Sequence, residues 1–178
     1  KNTGFSAAKI QTYSKGRVSK KTRTSRYFEE SLSQEEPLSN LFDRLIFNKD
    51  ELVDIFNYAQ HEGIELFSTP FDKPSVDMLD DFNISGYKLS SMDLVNIPLI
   101  RYLAKKMKPI IFSAGMSSFG DIELAINECL NIGNNKIAVL HCISSYPCPL
   151  EFSNLGRINE LSRTFGIRKC SFSKFFKI

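Results

Sequence analysis

Two lysines stand inside short, otherwise apolar segments of this 178-residue chain, Lys9 in AAKIQT and Lys88 in GYKLS. An ammonium group is costly to bury unless it faces an anion or a water-filled cavity. Hydroxyl side chains close or follow neighbouring apolar segments, at Thr69, Ser91 and Ser113. Such O–H groups can donate to phosphate or carboxylate oxygens. These residue types therefore predict a site for a small anionic ligand.

Structural roles for the same residues stay open. Serine and threonine at strand ends often form turns or cap helices. Either lysine could instead extend its ammonium to solvent or pair with a carboxylate. His141, one of two histidines, is either a hydrogen-bonded core residue, the commoner case, or a metal ligand. Only the convergence of the polar residues on one face favours binding.

Five short apolar segments, each flanked by Gly, Pro or Asn, predict strands buried on both faces. They are residues 7–12, 64–68, 86–90, 109–113 and 136–142. Amphipathic stretches predict helices near residues 36–46, 48–60, 74–82, 97–107, 121–130 and 155–165. Asn48 is expected to cap the second helix and Pro74 to sit in the first turn of the third. We expect no strand in the polar, basic segment 14–33.

Alternating strands and helices predict an α/β protein, either an open doubly wound sheet or a (β/α)₈ barrel. No GxGxxG motif follows a predicted strand, which disfavours a dinucleotide-binding sheet. Five strands are too few to close a barrel of eight, so we favour a partial (β/α)₈ TIM barrel. In both folds the chemistry lies at the carboxyl ends of the strands, where the polar residues cluster.

Composition excludes several functions. A net charge of +3 is small for a nucleic-acid binder, and no stretch of about 20 apolar residues is present to span a membrane. Four cysteines without a CxxC spacing indicate free thiols and a cytoplasmic location. Basic residues without intervening acids form either a solvated loop or a surface that attracts anions. They are Lys15, Arg17, Lys20, Lys21, Arg23 and Arg26.

Five motifs in order give a family resemblance: AAKIQTY, GIELFSTPFD, YKLSSMDLVNIPLI, KPIIFSAGM and LHCISSYPCP. With them the chain resembles the N-acetylneuraminate (sialic acid) synthase family from residue 1 to about residue 166. The resemblance implies that the five strands are the second to sixth of the family barrel. It also implies an enzyme, a transferase that joins phosphoenolpyruvate (PEP) to N-acetylmannosamine or a related acetamido sugar and releases phosphate.

The resemblance also implies roles for single residues. Those matching the PEP pocket are Lys9, Thr69, Lys88, Ser91 and Ser113. Gln11 and Tyr146 match sugar-side positions, and Ser144, where some members have Asn, is a further substrate-binding candidate. Gln11 and Asp93 are the catalytic candidates. Asp93 stands where neuraminate-making members have a glutamate, and because the side chain is shorter by one methylene, the identity of the sugar is not fixed by the resemblance. A synthase for legionaminate, pseudaminate or a spore-coat sugar is therefore an alternative.

The family's remaining features are expected outside the matched part. Family members are homodimers that use manganese or magnesium, with metal-binding histidines beyond the position of Gly166. Residues 167–178, IRKCSFSKFFKI, contain no aspartate or histidine. We therefore predict a partial barrel domain over 1–166 and an aberrant, possibly frameshifted, basic tail over 167–178. On this reading the chain alone binds no metal and is inactive, and a non-catalytic remnant is the second alternative.

Overall fold

Six parallel strands form one sheet whose spatial order follows the sequence. The computed structural model describes residues 6–22, 37–145, 148–166 and, as backbone only, 170–173. The strands are β1 (Ala7–Thr12), β2 (Glu65–Pro70), β3 (Tyr87–Leu89), β4 (Ile110–Ser113), β5 (Ile137–Cys142) and β6 (Cys170–Ser173). The first five match the predicted strands within two residues, and residues 14–22 contain no strand, as expected.

The sixth strand corrects the predicted count of five. β6 pairs in parallel with β5, from Val139 opposite Cys170 to Cys142 opposite Ser173. It lies in the predicted basic tail, residues 167–178, which contained none of the five predicted strands. A short strand depends on the neighbour that accepts and donates its backbone hydrogen bonds. The local composition of residues 167–178 does not contain that information.

In the part of the chain that the structure describes, six α-helices lie between the strands, and all six were predicted within about three residues at either end. They are α1 (Leu38–Arg44), α2 (Lys49–His61), α3 (Lys73–Asp81), α4 (Ile97–Lys105), α5 (Phe119–Ile132) and α6 (Gly156–Phe165). Asn48 forms a capping box with Glu51, and Pro74 lies in the first turn of α3. Among the described helices, none combines the length and apolar composition that a membrane crossing requires.

The helices pack against one face of the sheet. Strand residues on that face are fully buried and share one core with α3 to α6; they are Tyr87, Leu89, Ile110, Phe112 and Val139. The alternate strand residues, including Lys88, Ile111 and Leu140, are only partly buried. A doubly wound sheet carries helices on both faces. The sequential strand order and the single helical layer therefore confirm the partial (β/α)₈ barrel and exclude the open sheet.

Asp80 links the core to the surface of α3. Its carboxylate accepts a hydrogen bond from the buried Tyr87 hydroxyl at 3.2 Å and contacts Lys106 at 3.1 Å and Lys108 at 3.0 Å. Asp80→Ala would leave the Tyr87 hydroxyl without this acceptor, so we expect a loss of about 1–3 kcal/mol in the free energy of unfolding.

The neighbouring residue provides the control for this prediction. The Asp81 side chain is 70% exposed and lies 3.9 Å from Lys49. Asp81→Ala should change stability by less than about 0.5 kcal/mol, because exposed ion pairs contribute little. Urea denaturation of both variants measures the difference. Equal losses in the two variants would show that the Tyr87 contact is not what stabilises this region.

Candidate functional site

The sheet face opposite the helices, called the inner face below, carries the predicted anion-binding residues. Strand register places Gln11 beside Thr69. Ser68 is opposite Tyr87, so Thr69 aligns with Lys88 on β3. Because side chains alternate along a strand, residues that pair across parallel strands point to the same side. The structure thus brings the polar residues of β1, β2 and β3 onto one face, as the sequence predicts.

Lys88 is fixed on this face by a hydrogen bond from its side chain. Its ammonium donates a hydrogen bond to the hydroxyl of Ser113, which is 3% exposed at the end of β4. Burial lowers the pKa of Lys88 from its ordinary value. A buried ammonium with a lowered pKa is stabilised when an anion binds beside it. Lys88 and Ser113 therefore form a preformed pair of donors.

Lys9 adds a second positive charge nearby. Burial, with a smaller contribution from the charge of Lys88, lowers the pKa of Lys9 to about 8. The positive charge of Lys88 is therefore near enough to disfavour the charged form of Lys9. Two like charges in a partly desolvated site favour the binding of an anion that neutralises both.

Thr69 brings a hydroxyl into this positive region. Its side chain is 1% exposed, and its Oγ1 has no hydrogen-bond partner among the residues that the structure describes. Buried hydroxyls normally have partners, so an unpartnered one is a candidate donor to a ligand oxygen. Gln11, the register partner of Thr69 on β1, is exposed.

Ser91 and Ser144 meet at Gly115, in the loop after β4. The Gly115 N–H donates to the Ser91 hydroxyl at 3.1 Å, and the Ser144 hydroxyl donates to the Gly115 carbonyl at 3.2 Å. A side chain at Gly115 would lie 3.0 Å from the Cβ of Cys142, so only glycine fits without displacement. The two serines join the loops that follow β3, β4 and β5. A direct contact of either serine with a ligand stays a prediction.

Asp93 is buried in a short 3₁₀ turn (Ser91–Asp93) after β3. Its Oδ2 accepts hydrogen bonds from the Ser90 hydroxyl at 2.5 Å and from the Arg17 guanidinium at 3.1 Å. The structure therefore corrects the solvated-loop reading of the basic run at Arg17, whose side chain is only 20% exposed. Lys15, Lys20 and Lys21 are exposed as expected, and Arg23 and Arg26 lie outside the described residues. The sequence around Arg17 could not predict this ion pair, because Asp93 is 76 residues away in the chain.

His141 points toward the helices, on the same side of β5 as Val139. It is 2% exposed, and its Nε2 donates a hydrogen bond to the Ser153 carbonyl at 2.8 Å. This confirms the hydrogen-bonded core histidine among the two alternatives. In residues 6–22, 37–145 and 148–166, no group of three or more His, Cys, Asp or Glu side chains could hold a metal ion. Tyr146 lies outside the described residues.

Known proteins with similar sequences include sugar-acid synthases. A sequence profile of the NeuB family matches residues 1–174. A Methanocaldococcus jannaschii protein is 39% identical over 167 residues, 94% of this chain and 46% of that protein. The pseudaminic acid synthase of Helicobacter pylori is 28% identical over 169 residues, 94% of this chain and 50% of that protein. The chain thus spans about half the length of these relatives.

A solved structure shows the same arrangement of elements. The N-acetylneuraminic acid (sialic acid) synthetase of Leptospira borgpetersenii, crystallised in complex with citrate, superposes with a TM-score of 0.79. It is 28% identical to this chain, and the match covers 95% of this chain and 54% of the synthetase.

Proposed function

The chain belongs to the NeuB family, and we propose that the protein carrying it joins PEP to an acetamido sugar and releases inorganic phosphate. In this reaction C3 of PEP bonds to the aldehyde carbon of the sugar. Water adds to C2, and the bond between C2 and the phosphate oxygen breaks. The product is a nine-carbon sugar acid of the sialic acid type. The sugar-acid synthases among the relatives support this reaction class.

The lysine pair of the inner face is the observation that carries the proposal. PEP bears a phosphate and a carboxylate on a three-carbon frame, so it needs several donors within a small volume. Lys9 and Lys88 are partly buried, the charge of Lys88 helps to lower the pKa of Lys9, and Lys88 donates a hydrogen bond to Ser113. The unpartnered hydroxyl of Thr69 lies between β1 and β3. We assign PEP to these four residues and to Ser91.

The sugar is assigned to the loops above this pocket. Gln11 is exposed beside Thr69, and Ser144 is exposed after β5. Together with Asp93 and Tyr146 they are the proposed sugar-side residues. Holding the aldehyde carbon against C3 of PEP would accelerate the reaction by positioning alone. A manganese or magnesium ion stays a prediction, and so does the homodimer. Residues for holding such an ion are not found among the described side chains, where no three His, Cys, Asp or Glu residues come together.

A second class of sugar is also a candidate substrate. The pseudaminic acid synthase among the relatives supports a sugar acid other than N-acetylneuraminate as a second candidate product. Asp93 supports the same conclusion, because its carboxylate is one methylene shorter than that of the glutamate found in neuraminate-making members. We therefore include diacetamido sugars with N-acetylmannosamine among the proposed substrates.

Phosphate release tests the proposed function. The complete polypeptide that carries this sequence is incubated with PEP, manganese and either N-acetylmannosamine or a 2,4-diacetamido-trideoxyhexose. We expect phosphate to appear only when a sugar is present, and a new sugar acid to form in equal amount. Phosphate release without sugar would indicate a phosphatase. Absence of PEP binding in calorimetry would refute the assignment of the inner-face lysines.

A further inference from the structure

Arg17 joins three segments at the carboxyl end of the sheet. One guanidinium nitrogen donates to the backbone carbonyl of Phe71 at 3.1 Å, and another donates to the Asp93 carboxylate at 3.1 Å. The centre of the guanidinium lies 3.9 Å from the centroid of the Phe71 ring. A guanidinium that is stacked and bonded on two sides has one orientation. Arg17 therefore connects the loop after β1 to the ends of β2 and β3.

The loop that carries Arg17 is itself held in place. The Ser14 N–H donates to Asp72 at 2.8 Å, and the same aspartate caps α3 through the Ser75 N–H. Gly16 then takes a positive φ of 78°, which a side chain would disfavour. These contacts turn the chain so that Arg17 lies back over Phe71.

The two oxygens of Asp93 differ in their surroundings. Oδ2 accepts both the Arg17 guanidinium and the Ser90 hydroxyl. Oδ1 accepts no side-chain hydrogen bond from the described part of the chain. The side chain is 9% exposed, so the carboxylate is held by its partners and largely shielded from water. Such a carboxylate presents one fixed acceptor to a ligand.

We propose that Arg17 is a positioning residue: it holds Asp93 so that Oδ1 accepts a hydrogen bond from an O–H or N–H group of the sugar substrate. This inference rests on the proposed function and specifies how the site selects its sugar. A site built around a fixed acceptor rejects analogues that lack the donor, because the acceptor is then left unpaired. Arg17 thus contributes to sugar recognition through Asp93 and takes no part in binding PEP.

Steady-state kinetics of Arg17→Ala test this inference in the complete polypeptide. We expect the KM for N-acetylmannosamine, or for the diacetamido sugar if that is the substrate, to rise about 10- to 100-fold, as for a lost charge-assisted hydrogen bond. The KM for PEP should stay within about twofold of its original value, because the lysine pair is unaltered. Lys20→Ala, which removes an exposed charge of the same loop, is the matched control.

Chemical rescue separates positioning from a structural role. An open cavity of about 360 Å³ borders Arg17 and Phe71, so a small cation can reach the emptied position. Methylguanidinium should lower the raised sugar KM of Arg17→Ala, whereas sodium chloride at equal ionic strength should not. In Asp93→Asn the further change Arg17→Ala should add little, since the two residues act as one unit.

The outcomes distinguish the inference from the function on which it rests. A selective, rescuable rise in sugar KM supports the positioning role. If the unaltered protein is active and Arg17→Ala changes both KM values together, or neither, the positioning role is refuted while the proposed function stands. If the unaltered protein joins PEP to none of the sugars, the proposed function fails and the inference fails with it.

Discussion

Replacing Lys88 with methionine is expected to weaken PEP binding to this chain about 10- to 150-fold, the effect of losing a hydrogen bond to a charged group. Methionine has a similar length and no charge, so the change removes the ammonium with little change in packing. Lys88 is the donor that the Ser113 hydroxyl already holds in place. Its loss therefore removes a preorganised contact that no flexible surface lysine replaces. Isothermal titration calorimetry with PEP measures the effect.

Lys88→Met should also change the pKa of Lys9. The charge of Lys88 contributes to the lowered pKa of Lys9, so Lys88→Met should raise the pKa of Lys9 above its present value of about 8. Nuclear magnetic resonance titration of the lysine side chains can follow this shift without any ligand. Lys105→Met, an exposed lysine on α4, is the matched control and should alter neither quantity. Unchanged PEP affinity in Lys88→Met would refute the assignment of the pocket.

Alkaline pH is expected to weaken PEP binding about tenfold between pH 7 and pH 9 through Lys9 alone, since the protonated fraction of a group with a pKa of about 8 falls from about 0.9 to about 0.1 over this range. PEP affinity falls as the pH rises because the lowered pKa of Lys9 lies within this range. With a pKa of about 8, Lys9 is mostly protonated at pH 7 and mostly neutral at pH 9. The anion binds the protonated form, so its binding takes up a proton above pH 8. A phosphate monoester is already fully ionised over most of this range and adds little to the change.

Lys9→Arg provides the control for the pH experiment. Arginine keeps its charge throughout this range. The variant should therefore lose most of the pH dependence and keep only the part due to Lys88, whose pKa is also lowered. Calorimetry in buffers of different ionisation enthalpy counts the protons taken up. If binding is independent of pH and no proton is taken up near pH 8, the phosphate does not bind beside Lys9.

Much of the candidate site was predictable from local sequence. The alternation of side chains along a strand placed Lys9 and Gln11 on one face, and Lys88 and Thr69 follow the same rule. The helices were predictable for a similar reason. Asn48 is a capping residue that needs only its own first turn to be satisfied, and it forms that cap in the structure. Signals of this kind act over a few residues, so the sequence contains them completely.

The tertiary structure alone decided the remainder. Arg17 belonged to a run of basic residues, and only the packing of the loop after β1 against β3 brought it to Asp93. Gly115 bonds serines from two other loops, and β6 exists because β5 offers it a partner. The lowered pKa of Lys9 likewise requires burial and a charge from another strand. Such properties depend on which segments become neighbours after folding, and no local pattern in the chain specifies those pairs.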